Sequence, residues 1–142
     1  LHLGRQSRLA GIKHLNRLEN VLARAEWQDP AIREGLLCDD TNAVISGVTS
    51  NIFIVSAGVL QTPDLSHCGV AGVARSRILR AARKRGIDVE VARISPDALM
   101  HADEVMLCNS VQGIWRVATL EDNDWSPAGW SETLNGWLYE VD

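Results

Sequence analysis

The segment 69–86, GVAGVARSRILRAARKRG, starts and ends on glycine and carries apolar residues at Val73, Ile78, Ala81 and Ala82. IDVEVARI follows at once, and its residues alternate. The first pattern has the period of a helix, with Gly86 as its C-terminal stop, and the second has the period of a strand. A chain that switches period within a few residues has to build a mixed α/β structure.

The flanking sequence extends that reading. Ile12, Leu15, Leu18, Leu22 and Ala25 fall at helical spacing until Asp29 and Pro30 interrupt the pattern, which predicts a first helix with an apolar side. EGLLCDD, AVISGV and NIFIV are short β-prone runs, and SAG returns the chain into VLQTP, as in an antiparallel meander. In SPDALMHAD, Ser95 suits an N-cap, Pro96 the first helical position and Asp97 the first turn, so a short helix is expected. EVMLCN reads as a buried strand ending at Asn109, and GIWRVATL as another. SETLNGWLYEV closes the chain as an amphipathic helix with Leu134, Trp137 or Leu138, and Val141 on one side. No repeat, low-complexity tract or linker interrupts this order, so a single domain over 1–142 is expected. The chain opens at Leu1 in LHLGRQSRLAG, which reads as mid-domain sequence, so a fragment is expected.

The totals narrow the functional classes. The chain of 142 residues is 46% hydrophobic and 23% charged, with a formal net charge of −4, so no global basic field is available for nucleic acid or an acidic membrane surface. The arginines of ARSRILRAARKRG read as the wet face of a helix. Cys38, Cys68 and Cys108 are odd in number and widely spaced, which fits reduced thiols acting as small core residues in a cytoplasmic protein. His2, His14, His67 and His101 show no metal-ligand spacing, and no structural metal is expected. No apolar run approaches the roughly 20 residues that span a bilayer. Of the five tryptophans, four lie from Trp115 onward, where core packing is the expected use and interface anchoring the alternative.

Three stretches carry possible chemistry. Lys13, one of only two lysines, follows the small pair Ala10 and Gly11 in LAGIKHLNRLENVLARAEW. A lysine held against apolar surroundings has its ammonium form disfavoured and becomes an amine able to form a Schiff base. From this stretch alone a lysine snorkelling to the surface is the preferred reading. GVAGVAR supplies a glycine-rich turn into a helix, where the amides of Val73 and Ala74 and the helix dipole suit a phosphate. CNSVQG ends a strand with Asn109 and Ser110, where a hydroxyl and an amide could add to the same anion site.

Taken together, GIKHLNRLENVLARAEW, EGLLCDDTNAVISGVTSNIFIVSAGVLQTPDLSHCGVAGVARS and HADEVMLCNSVQGIWRV resemble the fold-type IV pyridoxal-phosphate enzymes, which include D-amino acid and branched-chain aminotransferases. IKHLNRLE, CGVAGVAR and ADEVMLCNS are most similar to the 4-amino-4-deoxychorismate lyase branch, which makes 4-aminobenzoate and pyruvate for folate biosynthesis. The resemblance runs from about Leu3 to Val117 in consistent order. It implies the mixed-sheet large C-terminal domain of that fold and the cofactor pyridoxal 5′-phosphate. Lys13 becomes the lysine that carries the cofactor as a Schiff base, and Val73, Ala74 and Ser110 the phosphate cradle. Asn51 becomes the asparagine beside the cofactor ring, preceded by Thr49 and Ser50, while Arg5 and Asn16 match polar positions near the lysine without an assigned role.

Two departures accompany the resemblance. Five residues before Asn51, where the family has a glutamate that keeps the ring nitrogen protonated, this chain has Ser46; a hydroxyl can only hydrogen-bond there, which weakens the ring as an electron sink. Nothing here corresponds to the family's smaller N-terminal domain, which adds an arginine to the phosphate and substrate-side residues. The expected activity of the intact protein is therefore elimination of pyruvate from aminodeoxychorismate by a cytoplasmic homodimer, with an aminotransferase for D- or branched-chain amino acids as the rival. A catalytically incomplete module that retains only self-association is the third alternative.

Overall fold

A computed structural model describes residues 2–139. The element order is β1 (His2–Leu3), α1 (Leu18–Arg24), β2 (Leu36–Asp39), β3 (Val44–Gly47), β4 (Asn51–Ser56), β5 (Val59–Pro63), α2 (Val73–Lys84), β6 (Val89–Ala92), α3 (Pro96–Met100), β7 (Glu104–Asn109), β8 (Gly113–Arg116), β9 (Thr119–Leu120), β10 (Asn123–Asp124) and α4 (Trp130–Leu138). This is the mixed α/β architecture expected from the periodicities.

The expected meander divides between two sheets. β2 and β3 pair antiparallel, and β1 adds in parallel to β2, giving the order β1-β2-β3. β4 begins a second sheet of order β6-β5-β4-β7-β8, with β5 and β7 antiparallel on either side of it. β6 runs parallel to β5, so α2 is a crossover between them. A two-stranded ribbon, β9 with β10, completes the sheets. The stretch read as one strand, GIWRVATL, is thus divided between β8 and β9.

β4 and β7 have continuous apolar sequences because both of their faces are covered. Phe53, Val55, Met106 and Cys108 point to a core shared with Ile78, Leu79 and Ala82 of α2 and Leu134 and Leu138 of α4. Ile52, Ile54, Val105 and Leu107 point the other way, to Ile94, Leu99 and Trp125. A third cluster under the smaller sheet joins Leu3, Ala23, Leu37, Ile45 and Leu65. All five tryptophans pack on these clusters or beside them, and Trp125 donates its indole N–H to Ala102 O at 2.9 Å.

The segment 69–86 folds as its sequence predicts, with two exceptions. Arg85 caps α2, Gly86 takes φ 69°, and the bonds Gly86 N–H to Arg83 O and Ile87 N–H to Ala82 O, both 3.1 Å, close a Schellman motif that only a residue tolerating positive φ can occupy cheaply. Val73, placed on the apolar side, is 68% exposed. Arg75, placed with the wet-face arginines, is buried and donates to Thr62 Oγ1 at 3.1 Å and Pro63 O at 2.9 Å. Ser95 Oγ accepts the Ala98 N–H at 3.1 Å with Pro96 at the first position of α3, as expected. Val141 lies outside the described residues.

The first helix is the main correction. Only Leu18–Arg24 is helical, and its buried residues are Asn20 and Ala23. The residues at helical spacing face out: Leu15 is fully exposed and Ile12, Leu18 and Leu22 are each more than half exposed. Asn20 is held in place by its side-chain N–H donating to Val48 O at 2.8 Å. Of the residues at helical spacing only Leu18 and Leu22 lie on the helix, and none of the described elements covers them.

One buried carboxylate fastens the C-terminal helix. Glu104, 0% exposed, accepts the N–H groups of Ala128 (3.0 Å), Trp130 (3.1 Å) and Ser131 (2.9 Å), the free amides at the start of α4. Glu104→Gln, which keeps the shape but loses the charge and half the acceptors, should lower the unfolding free energy by roughly 1–3 kcal/mol, and Glu104→Ala by more. The midpoint of urea unfolding followed by tryptophan fluorescence checks this, and unchanged midpoints in both variants refute it.

Candidate functional site

Because β4 and β7 are antiparallel, with Asn51 opposite Cys108, the start of β4 and the end of β7 lie side by side. The helix α2 begins at the same place after the turn 69–72. The segment before Lys13 is stitched to that turn by two backbone bonds, Gly11 N–H to Gly69 O at 3.0 Å and Ala71 N–H to Gly11 O at 3.1 Å. These elements enclose a cleft of about 350 Å³, within the size range of small-molecule sites. Lys13, Ser46, Asn51, Val73, Ala74 and Ser110 all line it.

Lys13 reaches the cleft from an irregular segment rather than from a helix, and its residue is exposed. The expectation of a lysine pressed against apolar surroundings therefore does not hold in this chain. The first turn of α2 offers the amides of Val73 and Ala74, which have no acceptor within the helix, and its N-cap Gly72 supplies no side chain to cover them. The turn after β7 is shaped by Asn109, whose Oδ1 accepts the N–H groups of Val111 at 3.0 Å and Gln112 at 2.8 Å. Ser110 sits on this turn, across from the helix start.

Asn51 does more than the sequence suggested. Its Nδ2 donates to Val70 O at 2.7 Å and its Oδ1 accepts the Gly72 N–H at 3.1 Å, so its amide clamps the glycine turn to the end of β4. Gly72 has an extended backbone that any residue could adopt, with φ −65°. It must be glycine because a Cβ there would fall on Asn51 Oδ1, well inside contact distance. Glu34, which sequence reasoning missed, braces the neighbouring turn. Its carboxylate accepts from Val48 N–H (3.1 Å), Thr49 N–H (3.2 Å), Thr49 Oγ1 (2.7 Å) and Ser50 Oγ (3.0 Å). The run of free donors in GVTS, thirteen to sixteen residues after a lone glutamate, is too diffuse a signal to find it.

Arg17, also missed, lines the cleft from the N-cap of α1. Burial pushes its guanidinium down from the ordinary arginine value, and the nearby Glu19 opposes the shift. Arg17 and Ser46 also border a smaller cavity that includes Asn16 and His14. Arg5 stands apart, 3.6 Å from Asp40, and is not in the cleft lining. Cys108 is in the lining, but burial pushes its thiol up to about 12, which keeps it protonated and rules it out as a nucleophile near neutral pH.

Residues 3–120 match the family model of class IV aminotransferases. The chain belongs to that family. Enzymes of the family depend on pyridoxal phosphate. The chain is 40% identical over 112 residues to an aminodeoxychorismate lyase of Vibrio harveyi, covering 79% of this chain and 41% of that protein. Among solved structures it superimposes on 4-amino-4-deoxychorismate lyase of Pseudomonas aeruginosa with a TM-score of 0.93 and 46% identity, covering 96% of this chain and 51% of the other. It also shares its fold with an aminotransferase of Brucella abortus bound to pyridoxal phosphate, at a TM-score of 0.80 and 18% identity over 87% of this chain and 44% of the other. The chain thus spans about half the length, or less, of the proteins it matches.

The clamp makes a specific prediction. Gly72→Ala should displace the Asn51 amide and spread the amides of the turn, weakening inorganic phosphate binding by about tenfold, the value of one hydrogen bond to a charged group. Isothermal titration with phosphate measures it, and an affinity equal to that of the unmodified chain refutes it. Asn51→Asp, which places a carboxylate against Val70 O, should weaken phosphate binding at least as much.

Proposed function

We propose that the intact protein is an aminodeoxychorismate lyase that uses pyridoxal 5′-phosphate to release pyruvate from 4-amino-4-deoxychorismate and form 4-aminobenzoate. The observation that carries this reading is one cleft that holds a lysine amine, a cradle of helix-start amides and a serine hydroxyl, in a chain 46% identical to a lyase of known structure. The chain would be the cofactor-binding domain over residues 1–142, and the activity belongs to the whole protein, of which relatives of similar sequence span about twice this length.

The residues of the cleft suit the cofactor. An anionic tail fits the amides of Val73 and Ala74 and the Ser110 hydroxyl, and an aldehyde fits the amine of Lys13. When bound, the cofactor withdraws electrons from the carbon next to the substrate's nitrogen. Lys13 would take the proton from that ring carbon and deliver it to the departing enolpyruvyl group. Asn51 would hold the amide cradle in place, and Thr49 and Ser50, set by Glu34, would line the cleft beside it. Ser46 would offer a hydroxyl where the family has a carboxylate. A homodimer fits the exposed apolar strip of Ile12, Leu15, Leu18 and Leu22, which none of the described elements covers.

Lys13→Ala should abolish the Lys13-dependent absorbance of the bound cofactor and 4-aminobenzoate formation together. With aminodeoxychorismate as substrate, pyruvate and 4-aminobenzoate should appear in equal amounts without an amino donor. Turnover retained in Lys13→Ala would refute the assignment, and keto acid formed from a D- or branched-chain amino acid would point to an aminotransferase instead.

A further inference from the structure

The cleft lining is electrostatically one-sided. Lys13 and Arg17 supply two cations, and among the described residues no aspartate or glutamate lines it. Two carboxylates outside the lining are engaged in hydrogen bonds of their own. Glu34 is turned into the 47–50 loop by four hydrogen bonds, and Glu19 accepts the Gly4 N–H at 2.8 Å. Cys108 is kept as a neutral thiol by burial, and the buried Arg75 is absent from the lining, its guanidinium bonded to Thr62 and Pro63. Ser46, at the point where the cleft meets the smaller cavity, offers a hydroxyl that can donate to a lone pair but cannot balance a positive charge. Wherever an aromatic nitrogen base lies in this cleft, it meets hydrogen-bond donors and cations, both of which favour its neutral form.

We propose, resting on the reading of this cleft as a pyridoxal-phosphate site, that it binds the cofactor with the ring nitrogen unprotonated. The site is therefore restricted to substrates whose own reaction supplies the driving force. A neutral pyridine is a weak electron sink, too weak to favour the carbanion that transfer of an amino group between ordinary amino acids requires. A cyclic dienyl amine bearing an enol-ether leaving group needs less. Loss of the proton beside nitrogen forms a ring double bond as the adjacent C–O bond breaks. The ring becomes aromatic, and the enol takes a proton at its methylene carbon to leave as a keto acid. Atoms and electrons balance without oxidant, water or amino donor. The substrate class is thus set by the charge of the lining as much as by pocket shape.

The test is ¹⁵N NMR of the full chain loaded with pyridoxal 5′-phosphate labelled at the ring nitrogen, near neutral pH. The resonance should lie in the neutral-pyridine range. Ser46→Glu, or the shorter Ser46→Asp if the longer chain does not fold, places a carboxylate in the lining and should move the resonance to the pyridinium range. A pyridinium resonance in the unmodified chain overturns this inference while leaving the cofactor site intact. Failure of both acidic variants to move the resonance overturns the assignment of the protonation state to the lining charge. Absence of any Lys13-dependent absorbance with the cofactor overturns the site reading itself, and this inference with it.

Discussion

The side-chain amide of Asn51 holds together two parts of the molecule that would otherwise meet only loosely. It belongs to the first residue of β4, the central strand of the larger sheet, and it bonds with both its donor and its acceptor to the turn that launches α2. Because β4 is covered on both faces and paired on both edges, it is among the least movable parts of the fold. The clamp passes that rigidity to the helix start. Two further backbone bonds pass it from the same turn to Gly11, and so to the segment that carries Lys13. Three stretches distant in sequence are thereby held around one cleft.

The same arrangement explains the electrical character of the cleft. Its floor is a helix start and a strand end, both of which present amides, and its flanks bring Lys13 and Arg17. Such a site suits an anion. Glu34 and Glu19 lie outside the lining and serve as internal braces, Glu34 for the 47–50 turn and Glu19 for the chain at Gly4. Ser46 adds a hydroxyl to this lining, and no aspartate or glutamate joins it there among the described residues.

Much of the fold was legible because local chemistry and tertiary structure agree there. Gly86 stops α2 for the reason its position suggests, Ser95 and Pro96 start α3 as a cap and a first residue should, and EVMLCN is buried on both faces as its unbroken apolar run implies. The failures have physical causes. The stripe from Ile12 to Leu22 has helical spacing, but burial depends on what lies opposite, and the element that packs inward there does so through Asn20 and Ala23. Glu34 and Arg17 escaped notice because their roles come from neighbours far along the chain, and a glutamate or arginine in isolation reads as a solvated charge. Arg75 was misassigned for the same reason, since its partners Thr62 and Pro63 belong to β5.

By itself, the sequence determined the mixed α/β class, the positions of α2, α3, β4 and β7, and the glycine turn that leads into α2. These follow from periodicity, capping chemistry and the conformational range of glycine, which are local properties. Tertiary structure alone decided that the β-prone runs divide between two sheets, that Lys13 stands exposed at the mouth of a cleft, and that Asn51 spans to the glycine turn. Those outcomes depend on which strands pair and which polar groups find partners, and pairing is a property of the whole chain that no single segment encodes.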